Sequence, residues 1–241
     1  MRLSSCAKSD IGLSRNTNED NYLVDETRAL FVVADGMGGH AAGDVASRIA
    51  IESVDESLHL TDNRSIHDKL CHAIEQANEK IAQEAHENKE WKGMGTTLTI
   101  LLIDQNQGFL AHVGDSRLYL SRSAKFQQLS DDHSLIGAQL RSGIRTEKQA
   151  EFSNLGHILL QAVGITPKLD ICFSQFTLEV GDRLLLCSDG LTNMVNDREI
   201  EASLQKPGTI KNLCNELLSR ALSAGGKDNI TVLLVQIDGL D

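Results

Sequence analysis

Acidic residues in this chain repeatedly stand at the edge of apolar, strand-like runs. Phe31-Val32-Val33-Ala34 leads into Asp35-Gly36, and Leu184-Leu185-Leu186-Cys187 leads into Ser188-Asp189-Gly190. Asp228-Asn229 opens the run Ile230-Thr231-Val232-Leu233-Leu234-Val235. Strand ends are rigid, so they can hold oxygen ligands to the tolerance that a hard divalent cation demands. Three such ends, distant in sequence and all offering carboxylates, point to a shared metal centre. An oxygen-rich centre of this kind is suited to hydrolysing phosphate esters.

Hydrophobic periodicity shows which elements must position these acids. Strand-like runs fall near 3–8, 21–24, 29–35, 96–103, 108–114, 116–121, 169–178, 182–188 and 230–237. Asp25-Glu26-Thr27, Gly114-Asp115 and Gly181-Asp182 read as tight hairpin turns, so the sheets are expected to be largely antiparallel. The runs at 98–103, 184–187 and 232–235 are continuously apolar, as an antiparallel strand reads when both its faces are covered. The covers are amphipathic helices. Residues 42–58 and 65–86 carry apolar side chains at three- and four-residue spacing, as do Ile210, Leu213, Leu217, Leu218 and Ala221. The expected fold is α+β, a four-layer α-β-β-α sandwich with two mostly antiparallel sheets inside and the site at one end. The segment from about Asp131 to Gly164 fits this scheme least well. It reads as short helical pieces (Leu135 to Leu140, Thr146 to Glu151) joined by polar loops, either a surface excursion or a flap beside the site.

Composition narrows the class. A chain of 241 residues, 41% hydrophobic and without a low-complexity tract, is expected to form one globular domain over residues 1–241. The first twenty residues carry six charged side chains (Arg2, Lys8, Asp10, Arg15, Glu19, Asp20) and no apolar stretch, so no signal peptide is expected. The longest apolar run is far short of a membrane span. Five cysteines without C-x-x-C spacing read as free thiols in a reducing cytoplasm. A net charge of −11 disfavours nucleic acid as a partner.

Singly, each acidic motif has an ordinary reading: Asp-Gly is a turn signal, and Glu19-Asp20 and Arg15 suit a solvated surface. Their order along the chain carries more. Arg15-Asn16-Thr17-Asn18-Glu19-Asp20, Val33-Ala34-Asp35-Gly36-Met37-Gly38-Gly39-His40, Gly95-Thr96-Thr97, His112-Val113-Gly114-Asp115-Ser116-Arg117, Ser188-Asp189-Gly190 and Lys227-Asp228-Asn229-Ile230-Thr231 follow one another. In this series the chain resembles the metal-dependent (type 2C) protein serine/threonine phosphatases, especially their small bacterial members, from Asp10 to Ile237. The resemblance implies a β-sandwich around a binuclear Mn²⁺ or Mg²⁺ site, in agreement with the layers read from periodicity. It implies that Asp35 bridges two ions, that the Gly36 carbonyl ligates one of them, and that Asp189 and Asp228 complete the first shell. Glu19 and Asp20 would hold the second ion, directly or through water. Asp115, with Asp189, would hold a third and weaker one. Arg15 would clamp the substrate phosphate with its guanidinium fork.

Six carboxylates and a carbonyl are hard ligands that suit Mg²⁺ or Mn²⁺ rather than zinc. The implied reaction is one-step hydrolysis of phosphoserine or phosphothreonine in a protein. A water bridging ions about 3.5–4 Å apart is acidified for attack, while the ions and Arg15 stabilise charge on the phosphoryl oxygens. The enzyme would act as a monomer in the cytoplasm and oppose a Ser/Thr kinase. Eukaryotic relatives carry a histidine general acid where this chain has Met37, which leaves a metal-bound water or His40 to protonate the leaving group. Two other readings remain open at this level. Gly36-Met37-Gly38-Gly39-His40-Ala41 formally matches a loose G-x-G-x-x-G/A dinucleotide fingerprint, against which stands the carboxylate of Asp35. A catalytically silent metal-binding regulator of the same fold would have lost a ligand acid or Arg15, and none is lost.

Overall fold

Side-chain alternation along the apolar strands decides the architecture, as seen in the computed structural model, which describes residues 1–38, 42–59, 63–123, 125–146 and 158–240. Eleven strands are described: β1 (Arg2–Asp10), β2 (Asp20–Asp25), β3 (Leu30–Met37), β4 (Gly95–Thr96), β5 (Leu98–Asp104), β6 (Gln107–Val113), β7 (Arg117–Arg122), β8 (Lys125–Gln128), β9 (Cys172–Thr177), β10 (Arg183–Cys187) and β11 (Ile230–Gly239). In β10, Leu184 and Leu186 enter one apolar cluster while Leu185 and Cys187 enter another. In β11, Leu233 and Val235 join the first of these clusters, and Val232 and Leu234 the second. A period of two sends alternate residues to opposite faces. A strand apolar at every position is therefore covered on both sides, as the continuous runs predicted.

The strands form two sheets, in order β1-β11-β10-β7-β8 and β2-β3-β5-β6-β9, with β4 paired to β3. Every strand pairing described is antiparallel. Among the described residues the α-helices are α1 (Ala42–His59), α2 (Ile66–Glu87), α3 (Leu135–Arg141), α4 (Asp189–Thr192), α5 (Asp197–Leu204) and α6 (Ile210–Ser223). Helices α1 and α2 cover the second sheet through Ala46, Ile49, Ala50, Leu70, Ile74 and Ile81. Helices α5 and α6 cover the first through Ile200, Leu204, Leu213 and Leu217. A third cluster, including Phe31, Val33, Leu101, Leu184 and Val235, fills the space between the sheets. Three interfaces make four layers. The parallel, helix-alternating sheet that a dinucleotide fold needs is not what these residues form.

Two turn readings are corrected. Asp25-Glu26-Thr27 does join hairpin partners β2 and β3. Gly114-Asp115 and Gly181-Asp182 instead carry the chain from one sheet to the other, since β6 and β9 lie in the second sheet and β7 and β10 in the first. Turn residues signal a reversal, not which sheet receives the next strand. The run at 96–103 is also interrupted at Thr97, between β4 and β5. Strand β8, which is polar, and helix α5 were not anticipated. The helical piece expected at Leu135 to Leu140 is α3; most of the piece expected at Thr146 to Glu151 lies outside the described residues, as do residues 152–157.

Candidate metal centre

The six acids meet at one end of the sandwich, where the two sheets face each other. Asp20 opens β2 and pairs in register with Asp35 of β3. Asp35 is not at a strand tip, because β3 runs on to Met37 and pairs there with β4. From the other sheet, β10 ends at Cys187 and Asp189 begins the short helix α4, while Asp228 lies just before β11. Asp115 sits in the crossing between the sheets. Together with Arg15, Glu19, Gly36, Met37, Thr97, Leu159 and Asn229, the acids Asp35, Asp115, Asp189 and Asp228 line a cavity of about 630 Å³. Asp20 is buried behind this wall.

Buried hydroxyls hold the acids in place. Ser188 Oγ and Thr231 Oγ1 each donate to Asp20 Oδ2 at 2.7 Å. The other oxygen, Asp20 Oδ1, is buried and has no hydrogen-bond partner. Thr97 accepts from the Asp35 amide through Oγ1 (3.0 Å), and both Thr96 Oγ1 and the Thr97 amide donate to the Asp35 carbonyl. Thr97 Oγ1 also lies 2.7 Å from Ser116 Oγ, which ties the Asp35 strand to the Asp115 turn. Gly114 has φ of +115°, and a Cβ there would lie 2.6 Å from the Thr97 side chain, so this turn requires glycine. Gly36 likewise leaves no room, since a Cβ would come within 2.1 Å of the Gly43 carbonyl at the start of α1. The glycine is needed for packing against α1 and Glu19.

Electrostatics follow from burial and crowding. Burial, then the charges of Asp20, Asp189, Asp115 and Asp228, lifts the Asp35 carboxyl well above the usual range. Burial and Asp189 push Asp115 up to about 8. Asp20 rises to about 6 through burial, although Thr231 and Ser188 pull against the shift. Asp189 is raised by burial and then by Asp228. Burial also raises Glu19, opposed by Arg15. Arg15, half exposed at the rim, donates from Nη2 to Asp228 Oδ2 at 2.7 Å.

A divalent cation fits this donor set. The acids and the Gly36 backbone offer oxygen ligands, the acids raise one another's proton affinity, and a buried carboxylate oxygen is left unpartnered, which is costly unless a charge meets it. Among the described residues no three of these groups close around one point; they face each other across the cavity. Residues Glu19, Asp20, Asp35, Asp115, Asp189 and Asp228 and the Gly36 backbone, all expected from sequence, are thus brought together. His40 lies outside the described residues. Leu159 reaches the wall; the bridge Ser134–Leu159 joins the two ends of the 131–164 segment to each other, and Thr96–Val163 ties it to β4. Sequence reasoning passed over Thr97, Ser116, Ser188, Asn229 and Thr231. Their signal was present as polar residues beside or within apolar strands, inside the same motifs.

Residues 14–231 match the family described as Protein phosphatase 2C. The chain is 40% identical over 238 residues to the serine/threonine phosphatase stp of Listeria monocytogenes, covering 96% of this chain and 94% of that protein. It superposes on the crystal structure of the Mycobacterium tuberculosis serine/threonine phosphatase PstP/Ppp with a TM-score of 0.92 at 34% identity, covering 98% of this chain and 99% of the other. A structure of the PstP catalytic domain in complex with two manganese ions is similar with a TM-score of 0.87 at 34% identity, covering 97% of each chain.

Proposed function

Because the chain belongs to the protein phosphatase 2C family and is a metal-dependent protein serine/threonine phosphatase, we propose that its own residues divide the work as follows. Asp35, Asp189 and Asp228 would hold one of two Mn²⁺ or Mg²⁺ ions, and Asp35, Glu19 and Asp20 the other, with the Gly36 carbonyl as a further ligand. Asp115 and Asp189 hold a weaker third. Bound ions of this type activate water near neutral pH and neutralise the phosphoryl oxygens. Arg15 binds and orients the phosphate of a phosphoserine or phosphothreonine side chain, its planar fork matching two non-bridging oxygens. Ser188 and Thr231 favour the ionised form of Asp20 and aim it, and the Thr97–Ser116 link keeps the two sheets' acids in register.

The observation that carries this reading is the unpartnered Asp20 Oδ1 buried behind four acids that share one cavity. Several broader features belong to the same proposal: one catalytic domain over residues 1–241, a monomer, and a cognate Ser/Thr kinase as its opponent. A cytoplasmic setting is supported by five free cysteines. No helix among the described residues is long and apolar enough to cross a membrane. The test is hydrolysis of phosphoserine and phosphothreonine peptides with Mn²⁺ or Mg²⁺, repeated after chelation with EDTA. Activity should vanish with the chelator and return with metal; full activity in a metal-free sample refutes the ligand assignment.

A further inference from the structure

The loop that carries Arg15 has few attachments, and nearly all of them come from one short segment. Leu13 donates its amide to the Gly226 carbonyl at 2.6 Å. Gly12 (φ +77°) lies so close to the 226–228 backbone that a Cβ would sit 2.1 Å from the Asp228 carbonyl. Arg15 pairs with Asp228. Asn229 does more than any of these. Its Nδ2 donates to the Ile11 carbonyl at 3.0 Å and to the Thr17 carbonyl at 2.9 Å, and its Oδ1 accepts from the Glu19 amide at 2.8 Å. Both donors of the amide are used, and the side chain is buried.

We propose that Asn229 is a positioning residue for substrate phosphate: its amide clasps both ends of the 11–17 loop and so holds the Arg15 guanidinium over the cavity. The chemistry requires this side chain. A carboxamide offers two donors on one atom for two carbonyls and an acceptor on the other for an N–H. Aspartate has the same shape but would set an oxygen against the Ile11 and Thr17 carbonyls. Glu19 does not depend on Asn229 to the same degree, because its carbonyl also accepts from the Gly36 amide (3.1 Å) and from Ser47 Oγ (2.6 Å). The clasp therefore governs Arg15 more than it governs the metal-holding acids. This inference rests on Arg15 being the phosphate clamp.

The experiment uses Asn229→Asp in the full chain, alone and combined with Arg15→Ala. Amide hydrogen exchange across residues 11–17 should accelerate, and this readout needs no turnover. KM for a phosphothreonine peptide should rise about tenfold, below the roughly hundredfold cost of a displacement of about 1 Å. Manganese stoichiometry by calorimetry should be unchanged. In the Arg15→Ala background, Asn229→Asp should add less than about twofold, because residues acting through one group are not additive. Equal fold-losses with and without Arg15, or unchanged exchange in the loop, overturn the inference. If Arg15→Ala alone leaves kcat/KM at the wild-type value, the phosphate-clamp reading itself falls, which separates its failure from that of the clasp. Should Asn229→Asp not fold, Asn229→Ala removes the clasp without adding charge and is judged by the same readouts.

Discussion

Replacing His112 with glutamine should flatten part of the protein's acid sensitivity. His112 is fully buried in β6, where Thr99 Oγ1 donates to its Nδ1 (2.9 Å) and its Nε2 donates to the Gly114 carbonyl (3.0 Å). The His133 ring stands 5.2 Å away and its Nδ1 accepts from the Gly114 amide at 3.2 Å. Two neutral imidazoles thus grip the glycine beside Asp115. Burial, and then His133, lowers the His112 pKa from 6.5 to about 4. The folded value lies below the unfolded one, so between these limits the unfolded chain binds a proton that the folded chain refuses. Stability from this group is complete above about pH 6.5 and falls as the solution is acidified, by about 1.4 kcal/mol per pH unit and about 3 kcal/mol in all. Glutamine can still donate toward Gly114 but does not titrate. Urea unfolding of both proteins in chelator, from about pH 7 to about pH 4.5, reads the difference and cancels the acids common to both. The unfolding free energy of the variant relative to the wild type should rise as pH falls, by about 3 kcal/mol across this range. Parallel pH profiles would refute the argument.

Two further outcomes test the site. Arg15→Ala should lower kcat/KM by about 10- to 100-fold, the cost of a charge-assisted contact worth about 1.5–3 kcal/mol, while calorimetry still finds metal bound; an unchanged kcat/KM removes Arg15 from the site. Asp35→Ala or Asp189→Ala should abolish activity, whereas Asp115→Ala should keep two metals bound and slow phosphopeptides more than p-nitrophenyl phosphate. The second substrate leaves as a stable phenolate and needs no proton, so equal slowing of both would rule out a part for Asp115 in leaving-group protonation.

Much of the fold was legible because its signals are local. The helices over 42–59, 66–87 and 210–223 follow from apolar spacing, and the double covering of β5, β10 and β11 follows from their unbroken apolar runs. Strand β8 escaped because Lys125-Phe126-Gln127-Gln128 is polar and gains its pairing only from β7. The crossings at Gly114-Asp115 and Gly181-Asp182 escaped because a two-residue reversal looks the same whether the next strand joins its own sheet or the opposite one.

The residues that could bind metal were set by sequence alone, since a carboxylate beside an apolar run is a matter of residue type and order. Which of them meet, and what holds them, was decided by tertiary structure. Asp20 and Asp228 are brought to one end of the molecule by contacts more than two hundred residues apart in sequence, the pairing of β1 with β11 and the Thr231–Asp20 hydrogen bond. Thr231 and Ser188 could be recognised as partners of Asp20, and Asn229 as the clasp of the Arg15 loop, only once the two sheets had closed. A hydrogen bond depends on distances of a few tenths of an ångström between atoms remote in sequence, and packing supplies those distances.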